Sequence, residues 1–581
     1  MNMPVETVIT KAAAMTANTA AGIENISADK KPSPMALADF YKTGHAPMYP
    51  AGLEMLVANF TPRSAKYAPV LPELFDNKVV WVGLQGFIKE YMIDTFNAEF
   101  FGAPKAKAVR KYMRRMDTAL GPGAVTKDRL EALYDLGYLP LEIRSLPEGS
   151  RVNIKVPPVI FIAKGEFSYL ATYFETLFSC ENWKPATVAT IAFEYRKLMT
   201  YFARLTGADE SFVQWQGHDF SMRGMSGVHD AMRCGFGHLM SFTGTDTIPA
   251  IDYAEDYYGA DAEKELIGGS IPASEHSVMA LRILLTLRRL AADPANASLS
   301  DKALRKLAER EVIREFVTQD YPEGMVSLVS DTFDFWNVIT VIAKELKPEI
   351  LARKVNGLGM AKVVFRPDSG DPVRILTGYS DTEVAANGDG TYTVKANALV
   401  ITDAERKGAV ECLWDIYGGT TTSKGFKVLN ERVGLIYGDS ITLGRARDIM
   451  LRLVEKGFAS SNVVYGVGSF TYQCLTRDTF GFALKAIYAE VDGEAIDIYK
   501  DPATDDGTKK SAKGLLRVEK EGNDFVLYEQ QDLEEFDKGA LVPVFRNSQL
   551  LVETTVAEIK ERLMASWECP EVGSLEWKKA A

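Results

Sequence analysis

The stretch Lys362-Val363-Val364-Phe365, running straight into Arg366-Pro367-Asp368-Ser369-Gly370-Asp371-Pro372, decides how the chain reads. The first four residues form a short apolar run of strand length, bounded by turn formers. The loop that follows carries a guanidinium, a carboxylate, a hydroxyl and a flexible glycine. Such groups suit a ligand with phosphate and sugar hydroxyls. Arg forks onto phosphate oxygens, and Asp accepts from hydroxyls or holds a metal. Taken alone, the same residues would also serve an ordinary salt-bridged turn.

The layout recurs. Phe212-Val213-Gln214-Trp215 reads as a strand leading into Gly217-His218-Asp219-Phe220-Ser221-Met222-Arg223-Gly224. Met325 to Val329 leads into Ser330-Asp331-Thr332, Val433 to Tyr437 into Gly438-Asp439-Ser440, and Asn462 to Tyr465 into Gly466-Val467-Gly468-Ser469-Phe470. Strands alternating with helices predict an α/β fold with a parallel sheet, whose ligands bind at the carboxyl ends of the strands. The span from about 210 to 475 is close to the roughly 250 residues of a closed barrel. Residues 201–479 are therefore expected to form a (β/α)8-like barrel domain. Asp403 is expected to cap one helix through Tyr417, and Ser440 or Thr442 to open another. Asn387-Gly388-Asp389-Gly390 is a hairpin turn. Residues 36–200 and 480–581 mix strands and helices, and are expected to build a second α+β domain from both chain ends. Residues 1–35 read as a flexible tail, without the apolar core of a signal peptide.

The 581 residues exceed one compact core. A net charge of −12 argues against a nucleic-acid binder or a protein of anionic membrane surfaces, so any phosphate site is a local basic pocket. Five cysteines without paired spacing fit a reducing, cytoplasmic setting. Apolar runs such as 156–163 are too short to span a bilayer. The basic run from Lys105 to Arg115 reads as a solvated helix.

Only five histidines are present, and none has metal-ligand spacing. His276 lies in Ser274-Glu275-His276-Ser277, where a structural hydrogen bond and a catalytic role compete. Asp246, in Gly244-Thr245-Asp246-Thr247, reads as a cap or as a ligand. Phe220 at a strand mouth either packs or stacks on a planar ring. These residues by themselves reach a phosphate-binding barrel enzyme, with aldolases and decarboxylases still open.

Taken in order, the motifs resemble those of the nicotinamide phosphoribosyltransferases, within the type II, nicotinate phosphoribosyltransferase-like family. They are Asp39-Phe40-Tyr41-Lys42, Gly83-Leu84-Gln85, His218-Asp219-Phe220 with Arg223-Gly224, Gly244 to Thr247, and Pro272 to Ser277. Further on come Val329-Ser330-Asp331 with Asp334, Arg366 to Gly370, Gly438-Asp439, Leu475 to Asp478, and Lys500-Asp501-Pro502. The resemblance implies a homodimer with active sites at the interface, acting on nicotinamide and phosphoribosyl pyrophosphate with ATP as coupling co-substrate. Nicotinamide would lie between Phe220 and the other chain's Tyr41, with its carboxamide on Asp246 and its ring approached by Arg366. Asp368, Gly438 and Asp439 would hold the ribose. Gly468, Ser469 and the other chain's Arg477 and Lys485 would meet the 5′-phosphate, and Ser327 would line the substrate pocket. Arg223, His276, Arg63, Lys500 and Lys509 would face pyrophosphate or ATP. Asp331 would pair with His276, which is expected to be phosphorylated by ATP, and Mg2+ would sit near Asp331 and Asp368.

The chain departs from the family pattern in places. Ser221-Met222 stands where the family has Gly-Tyr, and Gly466 to Phe470 differs from its phosphate loop, which weakens the Ser469 assignment. Nicotinate phosphoribosyltransferase is the neighbouring alternative, and a non-catalytic binding protein of the same fold is another. Asp246 separates the first pair, because an ionised carboxylate repels a nicotinate carboxylate.

Overall fold

The computed structural model describes residues 31–438, 440–499 and 512–577. Five parallel strands lie in the order Gly217–Phe220, Val463–Gly468, Val433–Tyr437, Ala361–Arg366 and Gly324–Val329. Their apolar residues, including Val363, Phe365, Leu435, Tyr465 and Val467, are buried, as expected of a sheet covered on both faces. Single parallel bridges continue the pairing from Asp219 to Thr245, from Gly244 to Gly269, and from Ala273 to Ser327. These links lead from the first strand round to Gly324–Val329, so the sheet curls like a barrel. The bridge-only segments are rich in Gly and Ser, which support ladders poorly.

Three local expectations are corrected. Phe212-Val213-Gln214-Trp215 is not a strand: Glu210–Phe212 is a 3-10 turn and Val213–Gln216 a helical turn. Asp209 starts that turn by accepting from the Ser211 amide at 2.9 Å, and the strand is the Gly217–Phe220 motif itself. The helix expected from Asp403 to Tyr417 is two helices. Thr402 and Glu405 form a capping box on Asp403–Lys407, and Gly408 at φ 81° breaks the chain before Ala409–Tyr417. The basic run lies in the helix Lys105–Leu120, where Lys111 is buried and pairs with Glu99 at 3.0 Å instead of pointing to solvent. As expected, Thr442 caps Leu443–Glu455, and 387–390 turns between Val384–Ala386 and Thr391–Val394.

Both chain ends meet in one antiparallel seven-stranded sheet. Its order is Glu494–Asp497, Ala483–Val491, Leu53–Thr61, Val159–Lys164, Leu141–Ser145, Val542–Arg546 and Gln549–Leu550. The 32-residue helix Glu175–Thr206 joins this sheet to the barrel. Its Phe178 meets Phe60 edge-on at 4.9 Å, and its Tyr195 hydroxyl donates to the Ile441 carbonyl at 2.6 Å. One continuous hydrophobic core runs through both sheets. Packing begins before residue 36, since Ser33 and Met35 are buried and Tyr173 donates to the Met35 carbonyl. Residues 1–30 of the expected tail lie outside the described residues. Among the described residues, no helix is long and apolar enough to cross a membrane.

Candidate active site

The carboxyl ends of the parallel strands bring together residues far apart in sequence. Phe220 ends the first strand, Arg366 ends another, Asp331 follows Gly324–Val329, and Gly438 follows Val433–Tyr437. Glycines show how tightly they converge. A Cβ on Gly466 would stand 2.7 Å from the Phe220 ring, and one on Gly438 would stand 2.9 Å from the Asp368 carboxylate and 3.8 Å from Arg366 Cδ. Phe220 therefore lies over bare backbone and forms a flat apolar floor beside Asp368 and Arg366. His218 adjoins it, with ring centroids 4.6 Å apart.

Asp246 is held by two side-chain donors. Its Oδ1 accepts from His218 Nε2 at 2.9 Å and from Ser270 Oγ at 2.6 Å. Burial pushes the carboxyl up, but these two hydrogen bonds and the Arg366 charge outweigh it and hold Asp246 below the usual carboxylate range. Arg366 donates through Nη2 to the Ser274 carbonyl at 2.8 Å, while its Nε is buried without a partner among the described residues. Ser327 Oγ is likewise buried and unpaired. Buried polar atoms are rarely left so, because each costs roughly 1–3 kcal/mol. The Arg366 charge acts on Asp246, so a cation and an ionised acceptor serve one region, which suits a group that both donates and accepts.

A second constellation starts from His276, the first residue of the helix His276–Ala292. The loop before it is tied to the Gly324–Val329 strand: Ser274 N donates to the Ser327 carbonyl, and Val329 N to Ser274 Oγ, both at 2.9 Å. The half-exposed His276 then donates Nε2–H to Asp331 Oδ1 at 3.0 Å. Asp331 Oδ2 accepts from the Asp368 amide at 2.9 Å and from Ser369 Oγ at 2.7 Å. Burial opposes ionisation of Asp331, but Ser369, the Asp368 amide and His276 together lower its pKa. A carboxylate only accepts, so the Nε2–H of His276 faces Asp331, and the neutral ring in this tautomer has its lone pair on Nδ1.

These residues also allow a test of whether Mg2+ fits. Asp331 spends three acceptor sites on protein donors, whereas the Asp368 carboxylate accepts none among the described residues. No group of three or more His, Cys, Asp or Glu is arranged as a cage among those residues. Mg2+ held by one or two carboxylates and substrate phosphates needs no such cage, so Asp368 fits it better than Asp331 does.

The remaining expected residues fall in two places. Arg223 is exposed in the turn Met222–Gly224, and a Cβ on Gly224 would collide with the Ser469 side chain, so Arg223 borders the Gly468-Ser469 loop. Nothing crowds Gly468 within 4 Å of where a Cβ would stand. Tyr41 and Arg477 instead line a hollow with Asp39, Glu175, Ser179 and Trp183. Lys485 sits there too, bonded to Glu175 Oε1 at 2.8 Å, and Lys42 pairs with the other oxygen. Within one chain the ring beside Tyr41 is His45, at 5.0 Å, and not Phe220. Arg63 donates to the Gly481 carbonyl at 2.8 Å. Asp439, Lys500 and Lys509 lie outside the described residues. Gln85, from a quoted motif, is structural, bonding Tyr257 and Thr554.

Sequence reading missed the hydrogen-bond partners of Asp246 and Asp331. His218 and Ser270 stand 28 and 24 residues from Asp246, so no local pattern links them. Ser369 was visible as a loop hydroxyl, but its bond to Asp331 was not.

The profile of the nicotinate phosphoribosyltransferase (NAPRTase) family matches residues 215–540. A protein of Acinetobacter baylyi named nicotinamide phosphoribosyltransferase is 50% identical over 537 residues, covering 92% of this chain and 98% of its own. One of the same name from Xanthomonas campestris pv. campestris is 30% identical over 538 residues, covering 90% and 96%. Among solved structures, human nicotinic acid phosphoribosyltransferase aligns at 13% identity and a TM-score of 0.47, covering 91% of this chain and 93% of that one. A likeness at that level carries no argument. Profile and close relatives suffice: the chain belongs to the nicotinate phosphoribosyltransferase family.

Proposed function

We propose that this chain is a nicotinamide phosphoribosyltransferase, which joins nicotinamide to the phosphoribosyl group of phosphoribosyl pyrophosphate and releases pyrophosphate. The observation that carries the reading is Asp246, held ionised by hydrogen bonds from His218 and Ser270 and by the Arg366 charge. A primary carboxamide donates to the carboxylate through its NH2 and accepts from the guanidinium through its oxygen. A nicotinate carboxylate would meet Asp246 as a like charge. The relatives named above as nicotinamide phosphoribosyltransferases support the same choice.

The pyridine nitrogen already has its lone pair, so the site needs no base there. Its task is to hold that nitrogen in line with ribose C1 and to stabilise the oxocarbenium-like centre and the departing pyrophosphate. Phe220 supplies the floor for the ring, and Asp368 is poised for ribose hydroxyls. Arg223 and the amino end of the helix begun by His276 offer positive potential to phosphates. Mg2+, held through Asp368, would neutralise pyrophosphate charge.

ATP coupling follows from His276. With Nε2–H fixed on Asp331, the Nδ1 lone pair attacks the γ-phosphorus of ATP, ADP leaves, and later hydrolysis of the phosphohistidine drives synthesis. Two features support a homodimer with shared sites. Tyr41, Arg477 and Lys485 gather around Glu175, at a hollow whose lining does not include Phe220. Val278, Leu281 and Leu285 also form an exposed apolar stripe on the helix that His276 begins.

The test is a product assay with nicotinamide and with nicotinate, each with and without ATP. Nicotinamide mononucleotide should form, faster with ATP, while nicotinate is a poor substrate. Preference for nicotinate overturns the reading. His276→Ala should keep slow, ATP-independent transfer and lose ATP stimulation, and full stimulation in that variant would refute the phosphohistidine.

A further inference from the structure

The clearest unassigned feature beside the base is the pair of donors on one oxygen of Asp246. His218 Nε2 and Ser270 Oγ both reach Oδ1, at 2.9 and 2.6 Å, from different segments of the barrel wall. His218 comes from the Gly217–Phe220 strand and Ser270 from the bridge-only segment after Gly269. Asp246 itself is fixed from behind, its amide donating to the Asp219 carbonyl at 2.9 Å. Gly244 makes room for the clamp, since a Cβ there would stand 2.8 Å from His218 Nδ1.

Resting on the nicotinamide reading above, we propose that His218 and Ser270 are positioning residues that set base selectivity by clamping Oδ1 of Asp246. The clamp leaves Oδ2 as the acceptor for the carboxamide NH2. Two donors on one oxygen lock the side-chain torsion, which a single donor leaves free to swing. They also keep the group acceptor-only. An Asp that carried its own proton could instead donate to a nicotinate carboxylate and lose the discrimination. Neither residue touches ring or ribose in this scheme, so their loss weakens recognition of the base and spares the transfer step.

The experiment measures kcat and KM for nicotinamide and nicotinate in the full-length wild type and in Ser270→Ala, Ser270→Thr, His218→Leu and His218→Gln. Ser270→Ala and His218→Leu should each raise the nicotinamide KM about tenfold, the loss of one charge-assisted hydrogen bond. Their kcat should change less than about twofold, and their preference for nicotinamide over nicotinate should shrink by a similar factor. Ser270→Thr keeps a hydroxyl and His218→Gln keeps an N–H at similar reach, so both should recover most of the loss. Ser270 is exposed, so Ser270→Ala decides the matter even if His218→Leu fails to fold. Unchanged nicotinamide KM and selectivity in Ser270→Ala, with an active wild type, overturns the clamp and leaves the enzyme assignment standing. A wild type that makes no nicotinamide mononucleotide overturns the assignment itself, and the clamp with it.

Discussion

At the scale of single residues, the site depends on side chains that are missing as much as on those present. Gly466 has ordinary backbone angles, so it is kept for space and not for conformation. A methyl there would stand 2.7 Å from Phe220, 2.8 Å from the Tyr437 carbonyl and 2.9 Å from Gly438 Cα. Two of these neighbours are backbone, so the ring must move. Gly466→Ala should raise the nicotinamide KM about tenfold or more, in keeping with overpacking costs of roughly 1–3 kcal/mol. Steady-state kinetics beside a thermal melt check this, and an unchanged KM would mean that Phe220 is not the floor. Asp246, His276, Arg366 and Asp368 stand out in the sequence by residue type and loop setting, but those left a structural reading open for each, and their roles came from the family resemblance. Which oxygen of Asp246 is taken, and by what, was not legible there.

At the scale of elements, the helix Asp301–Glu315 holds a buried carboxylate that no catalytic step uses. Burial of Glu309, then the charge of Asp334, pushes its pKa from 4.5 to about 7. Between those values the folded chain keeps a proton that the unfolded chain has lost. Stability therefore falls as pH rises through that window and stays lower above it. The difference corresponds to on the order of 3 kcal/mol. Glu309→Gln removes this titration. Its melting temperature should exceed wild type at pH 8, with the gap closing toward pH 4. Thermal melts across that range check the sign, and a gap independent of pH would contradict it. Helix boundaries were less legible than helix existence. The apolar spacing of residues 404–417 reads as one helix, but Gly408 at φ 81° packs so near the Thr377-Gly378 backbone that the chain must turn there.

At the scale of the molecule, the proposed homodimer makes its own prediction. If Phe220 and Tyr41 of different chains share a site, Phe220→Ala and Tyr41→Ala each disable every site of their own homodimer. In a mixed dimer, one site takes both defects and the other is intact. Coexpression with random pairing should then restore roughly a quarter of wild-type activity, since half the dimers are mixed and each has one sound site. Activity of the coexpressed pool against each variant alone checks this, and no recovery would place Tyr41 and Phe220 in the same chain's site or in none.

The sequence by itself determined the alternation of strand, polar loop and helix, and with it a parallel α/β sheet with chemistry at its strand ends. Those features depend on local periodicity, turn residues and side-chain type, all carried by neighbouring positions. Only the tertiary structure decided that Gly217–Phe220 is the strand and not the apolar run before it. Only it joined Leu53–Thr61 to Ala483–Val491, and His218 and Ser270 to Asp246. Such contacts link residues tens to hundreds of positions apart. They form because burial of a shared core outweighs the entropy of closing long loops, a balance that no short window of sequence contains.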